Sequence, residues 1–205
     1  NLIWEKWVRR ALQVGLMARL EPAQPLPGET YRKRGILSFG YDHGGHGESP
    51  ESSRSALVVT EQIGNFTCFI FARTWHPGAD EAVVKRDLVG FWRYFQPDVA
   101  HGDAYGIGML TQVCDDLYAE GLTTIDRRTV GDGESTASTW PEWPFVPLRF
   151  EGMQKHSMAQ ALRSLFNNKQ AAIPYVDDRD EADPDVADLR GLVRQLPNIV
   201  PETTS

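Results

Sequence analysis

Gly35-Ile36-Leu37-Ser38-Phe39-Gly40-Tyr41-Asp42 is an apolar run of strand length that stops on a carboxylate. Further along, Pro97-Asp98-Val99-Ala100-His101-Gly102-Asp103 stops the same way. Ligands of open α/β sheets collect at the C-terminal edge of the strands. If these two strands are parallel neighbours, their backbones lie about 4.8 Å apart and the carboxylates of Asp42 and Asp103 stand side by side. A hard divalent cation such as Mg²⁺ or Mn²⁺ satisfies two such like charges at once, because it prefers carboxylate oxygens. Two ions about 3.5–4 Å apart would activate a water and stabilise the leaving oxygen of a phosphodiester. Each aspartate alone also has a plain structural reading. Asp42 suits a turn into the loop His43-Gly44-Gly45-His46-Gly47-Glu48-Ser49-Pro50, and Asp103 suits the cap of a helix beginning near Gly106. The matched strand ends make the pair chemical.

Outward from these runs, Ser55–Ile63 and Phe66–Trp75 are rich in β-branched and aromatic residues and are separated by Gly64-Asn65, which predicts a hairpin. Asp80–Phe95 has an acidic start, an apolar face through Val83, Val84, Leu88, Phe91, Trp92 and Phe95, and Pro97 as its stop, a helical pattern. Gly106–Glu120 is a second helix with Gly121 at its C′ position. Residues 122–130 are expected as a further strand, 131–147 as a long Gly- and Pro-containing loop, Met153–Asn167 as a helix and Ala171–Val176 as strand-like. Asp177–Pro184 is too polar to pack, and Val186–Leu196 is a last short helix. At the other end, residues 3–20 have helical spacing, followed by an extended linker with Pro22, Pro25, Pro27 and Gly28. A strand, a hairpin, a helical crossover to a parallel strand, and a further helix and strand describe an α/β mixed sheet. With the fourth strand beside the first, the topology is ribonuclease H-like; a flavodoxin-like sheet or another α/β layer is the alternative.

The chain has 205 residues, 41% of them hydrophobic and 24% charged, enough for a packed core and too apolar for a disordered segment. It lacks any run long and apolar enough for a membrane span. It opens at Asn1 without an initiator Met and reads as a piece of something longer. Cys68 and Cys114 are too few for a disulfide scaffold or a zinc site, which fits a reducing cytoplasm. A formal charge of −7 argues against nucleic-acid binding through bulk electrostatics alone. That charge is uneven, with a balance of +4 over residues 1–34 and −5 over 176–205. Arg32, Lys33, Arg34 and Lys155 are the expected contributors to weak, salt-sensitive binding of DNA phosphates.

In order, Gly40-Tyr41-Asp42 with its glycine-rich loop and hairpin, then Gly102-Asp103-Ala104-Tyr105-Gly106-Ile107-Gly108-Met109-Leu110 with Leu117 and Gly121, resemble the nuclease domain of bacteriophage large terminase subunits. Val146-Pro147-Leu148-Arg149-Phe150, then Lys155, Met158 and Leu162, then Ala172-Ile173-Pro174, match that family's later strand, helix and short strand. The resemblance covers roughly residues 30–200 and rests on the order of the motifs rather than on any one of them.

It implies a ribonuclease H-like endonuclease that cuts concatemeric double-stranded viral DNA in the host cytoplasm. Three acids would hold two Mg²⁺ or Mn²⁺ ions, with Asp42 and Asp103 taking the first two places. The third usually comes from a D-D-x-x-D-A element, which is absent; Asp185 and Asp188 are the nearest substitutes, and a position past Ser205 is the favoured one. Residues 1–30 would be the helix and linker leading from an ATPase domain, and 31–205 the nuclease domain. No G-x-x-x-x-G-K-[ST] occurs in the chain itself. The implied partners are DNA, the ATPase domain, the portal and the small terminase subunit. His43, His46 and His101 are candidate ligands or proton shuttles that read more simply as loop and strand residues. Trp140 and Trp143 are the tryptophans considered for contact with DNA or a partner, and the others read as core. Two alternatives stay open: a non-catalytic docking module in which the aspartates are structural, and a resolvase- or integrase-like recombination nuclease.

Overall fold

The computed structural model describes residues 1–45, 52–125, 144–175 and 186–200. Its elements run α1 (Glu5–Met17), β1 (Ile36–Asp42), β2 (Ser55–Ile63), β3 (Phe66–Trp75), α2 (Glu81–Phe95), β4 (Val99–Asp103), α3 (Ile107–Ala119), β5 (Val146–Leu148), α4 (Gly152–Asn167), β6 (Ala171–Ala172) and α5 (Ala187–Gln195). The strands form one six-stranded sheet in the order β5-β4-β1-β2-β3-β6. β1 and β4 are parallel, as are β4 and β5, and β3 and β6. The two residues between β2 and β3 leave room only for antiparallel pairing, so the sheet is mixed, as expected.

β1 alternates strictly: Leu37, Phe39 and Tyr41 are buried, while Ile36, Gly40 and Asp42 are exposed. That period of two presses one row of side chains into a core and leaves the other row outward. α2 is started by Asp80, whose carboxylate accepts from the Ala82 N–H at 2.9 Å, and stopped by Gln96 in the left-handed region. α3 ends in a Schellman arrangement: Leu122 N–H donates to the Leu117 carbonyl, Gly121 N–H to that of Tyr118, and Gly121 has φ +71°.

That closure bears on one expectation. Residues 122–125 form no strand, because they are spent turning the chain out of α3; residues 126–130 lie outside the described residues. The place beside β4 goes instead to Val146–Leu148, whose first two residues fell within the expected loop and which the family resemblance marked as a strand. The expected strand 171–176 shortens to Ala171–Ala172, since Pro174 cannot donate to a ladder.

Two compact units share the chain. One comprises Asn1–Gln24, Val59–Arg73 and Glu151–Ser205, the other Pro25–Val58 and Thr74–Phe150. In the first, α1 is docked by its small residues: Ile173 N–H donates to the Ala11 carbonyl at 3.1 Å, and Gly15 lies so close to Ile173 that a Cβ would fall 1.9 Å from its carbonyl oxygen. Phe69 of β3 meets Phe166 of α4 at 5.8 Å between ring centroids. In the second unit, Phe39 stands edge-on to Trp92 and Phe95, and Trp75 donates its indole N–H to Asp87 at 2.9 Å. Leu110 of α3 packs into the space that Gly102 of β4 leaves.

Candidate active site

Asp42 closes β1 and Asp103 closes β4. The register pairs Ser38 with Val99, Phe39 with Ala100, Gly40 with His101 and Tyr41 with Gly102, so the two aspartates are the next rung of the same ladder. Burial pushes the Asp42 carboxyl above its ordinary value, the charge of Asp103 pushes it further, and His43 works in the opposite direction. Asp103 is itself buried, and one of its oxygens accepts from the Tyr105 N–H at 3.0 Å, capping a 3-10 turn over Ala104–Gly106 that leads into α3. The capping role read for Asp103 is therefore real. It engages one carboxylate oxygen of two.

The loop after Asp42 is tied down by serines: Gly44 N–H donates to Ser55 Oγ at 2.9 Å and Gly45 N–H to Ser53 Oγ at 2.8 Å. Beneath it, burial raises the Tyr41 hydroxyl to about 12; Ser55 opposes this, and Asp42, Glu81 and Asp103 add to it. Tyr41 thus keeps its proton at neutral pH, with its oxygen 3.0 Å from His43 Nδ1. The His43 ring is wedged against Gly106, where a Cβ would come within 2.8 Å of the imidazole Cγ. A cavity of about 230 Å³ opens beside this cluster, lined by His43, Gly44, Ser53, Ser55, His76 and Glu81 among others. Sequence reasoning missed Tyr41 and Glu81. Glu81 reads as an ordinary acid in the first turn of a helix, complementing its dipole, and nothing in its neighbours marks it otherwise.

The remaining candidates are distributed as follows. His101 is half-buried in β4, and that burial lowers its imidazole below the usual range. Asp188 lies in α5, 3.9 Å from Arg73, within the first unit. His46, Asp185, Trp140 and Trp143 fall outside the described residues. Trp75 and Trp92 are core, as expected, whereas Trp4 is half exposed with Lys6 over its ring. Arg32, Lys33, Arg34 and Lys155 are all exposed, but Lys33 is paired with Asp98 at 3.2 Å. Among the described residues, no group of three or more His, Cys, Asp or Glu side chains is gathered where it could hold a metal ion. The two aspartates stand as an oxygen-only pair; desolvation first and the charge of Asp103 second raise the Asp42 carboxyl, and a hard divalent cation would offset both. The donor set fits such an ion.

An α/β domain of ribonuclease H-like topology, with two carboxylates on adjacent parallel strand ends, is the class that this fold and site define. No protein-family model matches the sequence, and no curated protein matches it significantly. Solved structures do. The large terminase nuclease from thermophilic phage G20c superposes with a TM-score of 0.52 at 17% identity in its zinc-bound form, over 95% of this chain and 86% of that one. Its magnesium-bound form gives 0.53 at 16% identity, over 97% and 81%. The HK97 bacteriophage large terminase gives 0.50 at 13% identity, over 84% of this chain but 34% of that longer one. At such identities the likeness establishes the fold, which is that of large terminase nuclease domains. Among the described residues no helix is long and apolar enough to cross a membrane.

Proposed function

We propose that this chain is the metal-dependent endonuclease domain of a viral DNA-packaging terminase, cutting concatemeric double-stranded DNA. The observation that carries the reading is the carboxylate pair, Asp42 and Asp103, on the next rung after Tyr41 and Gly102 of two parallel strands. The zinc- and magnesium-bound forms of the G20c nuclease support divalent metal as the cofactor. In this proposal Asp42 and Asp103 are the ligands for Mg²⁺ or Mn²⁺, two ions in the full site. Bound there, divalent cations supply a more acidic water and a stabilised leaving oxygen for phosphodiester hydrolysis.

The chain's own groups prepare the pair. Capping of the 3-10 turn orients Asp103, and Tyr41 with Gly106 fixes His43 next to Asp42. DNA would be bound through phosphates with little sequence reading, Arg32, Lys33, Arg34 and Lys155 contributing. The ATPase domain, portal and small subunit are the proposed partners, and the host cytoplasm the site of action. The length of the HK97 chain beyond the matched part leaves room for such an additional domain in that protein.

The second reading, a docking module with structural aspartates, draws support from the cap on Asp103 and from the lack of a third ligating side chain beside the pair among the described residues. One experiment separates the two. Asp42→Asn and Asp103→Asn should each abolish Mn²⁺-supported nicking of plasmid DNA while the melting temperature holds or rises. Asn caps a turn about as well as Asp, so folding is spared. Cleavage retained in either variant removes that residue from the active site and favours the docking module.

A further inference from the structure

The outward row of the β1–β4 pair continues away from the carboxylates as Gly40 and His101, then Ser38 and Val99, then Ile36. Gly40 and Ile36 are exposed, Ile36 by 56%; Val99 is 40% exposed, and Ser38 and His101 are half-buried. Apart from Asp42 and Asp103 at its end, this row holds no acid. The row leads from Ile36 to the two aspartates with His101 as its one other ionisable side chain.

Gly40 is the anomaly. A glycine inside a strand weakens it, and usually marks a bulge or the close approach of a ligand or another backbone. The glycine of β4, Gly102, which pairs with Tyr41, is explained from within: a Cβ there would lie 2.4 Å from Leu110 Cδ1. Gly40 has no such reason. Its φ is not in the left-handed region, and the nearest atom to a Cβ built on it would be the Val58 carbonyl oxygen at 4.0 Å. The fold leaves room for a side chain and the sequence leaves it out. Opposite Gly40 in the register stands His101, one pleat back from Asp103 on the same outward row. An imidazole offers an N–H donor in either protonation state.

We propose that Gly40 and His101 form the substrate-binding floor of the candidate active site. The DNA strand being cut lies against the bare backbone at Gly40, and His101 donates a hydrogen bond to a backbone phosphate oxygen next to the scissile one. This inference rests on the nuclease reading above. The ligand is the sugar-phosphate backbone rather than a base, since the floor offers a single donor ring and no set of groups that could read a base edge.

The test uses the full chain, with nicking kinetics on plasmid DNA in Mn²⁺ and Mn²⁺ binding by calorimetry in the absence of DNA. His101→Ala removes one hydrogen bond to a charged group, an interaction of about 1.5–3 kcal/mol, so KM for DNA should rise roughly 10- to 100-fold. kcat should stay near wild type and Mn²⁺ affinity should be unchanged. His101→Gln, which keeps a donor, should recover most of the loss. Gly40→Val gives the strand a residue it favours and should fold at least as stably, yet it should raise KM by a similar factor with Mn²⁺ affinity intact. Wild-type KM in His101→Ala or in Gly40→Val overturns the inference, as does a loss confined to kcat or to Mn²⁺ binding. Undiminished cleavage in Asp42→Asn refutes the nuclease reading itself. The two failures are thus told apart.

Discussion

Replacing Gly106 by Ala is the sharpest test of how the chain holds His43 beside Asp42. Gly106 has φ −88° and ψ 15°, which any L-residue adopts, so backbone torsion is not at issue. What a methyl group would meet there is His43: Cγ at 2.8 Å, Cβ at 2.9 Å and Nδ1 at 3.0 Å. Carbon atoms rest at about 3.5–4.0 Å, so the overlap is roughly 0.7 Å on several atoms at once. The ring cannot simply swing aside without giving up its hydrogen bond to Tyr41 at 3.0 Å. Overpacking of this kind costs about 1–3 kcal/mol. Against it stands the lower chain entropy of Ala, about 0.4–1 kcal/mol, so a net loss of about 1–2 kcal/mol is expected. Gly108, two residues on in α3, has no atom within 4 Å of a built Cβ, and there the same change should gain about 0.5–1 kcal/mol. The two variants should differ by about 1.5–3 kcal/mol, or roughly 3–12 °C in melting temperature for a chain of this size. Thermal unfolding followed by circular dichroism reads that difference directly. A Gly106→Ala protein that melts at or above Gly108→Ala would refute the packing of His43 on the turn before α3.

Gly15→Ala should unfold at clearly lower urea, by about 3 kcal/mol or more from the overpacking alone, although Ala is the better helix former, because the Ile173 carbonyl oxygen would lie 1.9 Å from the new methyl carbon. Equal or greater stability would show that α1 does not dock on residues 171–173. At Asp98, burial acts against the charge, but the Leu37 N–H and Lys33 outweigh it and hold the carboxyl below its ordinary value. A lowered carboxyl contributes stability above its unfolded pKa of about 3.9, lost as the pH falls through the folded value. Asp98→Asn should therefore cost about 0.5–1 kcal/mol at pH 7, the modest figure reflecting an exposed pair, and the gap to wild type should close on acidification below about pH 4. A gap that widens in acid would overturn that account.

Much of this molecule was legible as a linear pattern. Strands ending on Asp42 and Asp103, the hairpin across Gly64-Asn65, and the helices stopped before Pro97 and at Gly121 are written in alternation, turn residues and caps. Those signals act over a few residues, so the sequence carries them unaided. The resemblance of motif order extended that reading to the ribonuclease H-like topology, and the superposition on terminase nucleases bears it out. The register that sets Gly40 against His101, and the aspartates two positions further on, is a contact between segments far apart in the chain. No local period encodes it. Residues 122–125 form no strand for the same kind of reason: the Schellman closure of α3 uses residues 121 and 122, and the place beside β4 is taken by distant, proline-containing Val146–Leu148.

Glycines show the division most plainly, because a missing side chain means nothing until its surroundings are known. In the sequence Gly15, Gly40, Gly102, Gly106 and Gly108 are alike. In three dimensions Gly15 admits a backbone carbonyl, Gly102 a leucine and Gly106 a histidine, while Gly40 has room for a side chain beside the Val58 carbonyl oxygen and Gly108 faces open space. Likewise Glu81 is one acid among many until folding brings its charge to bear on Tyr41. Residue types and local spacing determined which chemistry was available, a pair of hard oxygen donors at strand ends. Tertiary structure decided which groups that pair acts with, since proximity between remote segments is created by packing and by nothing shorter in range.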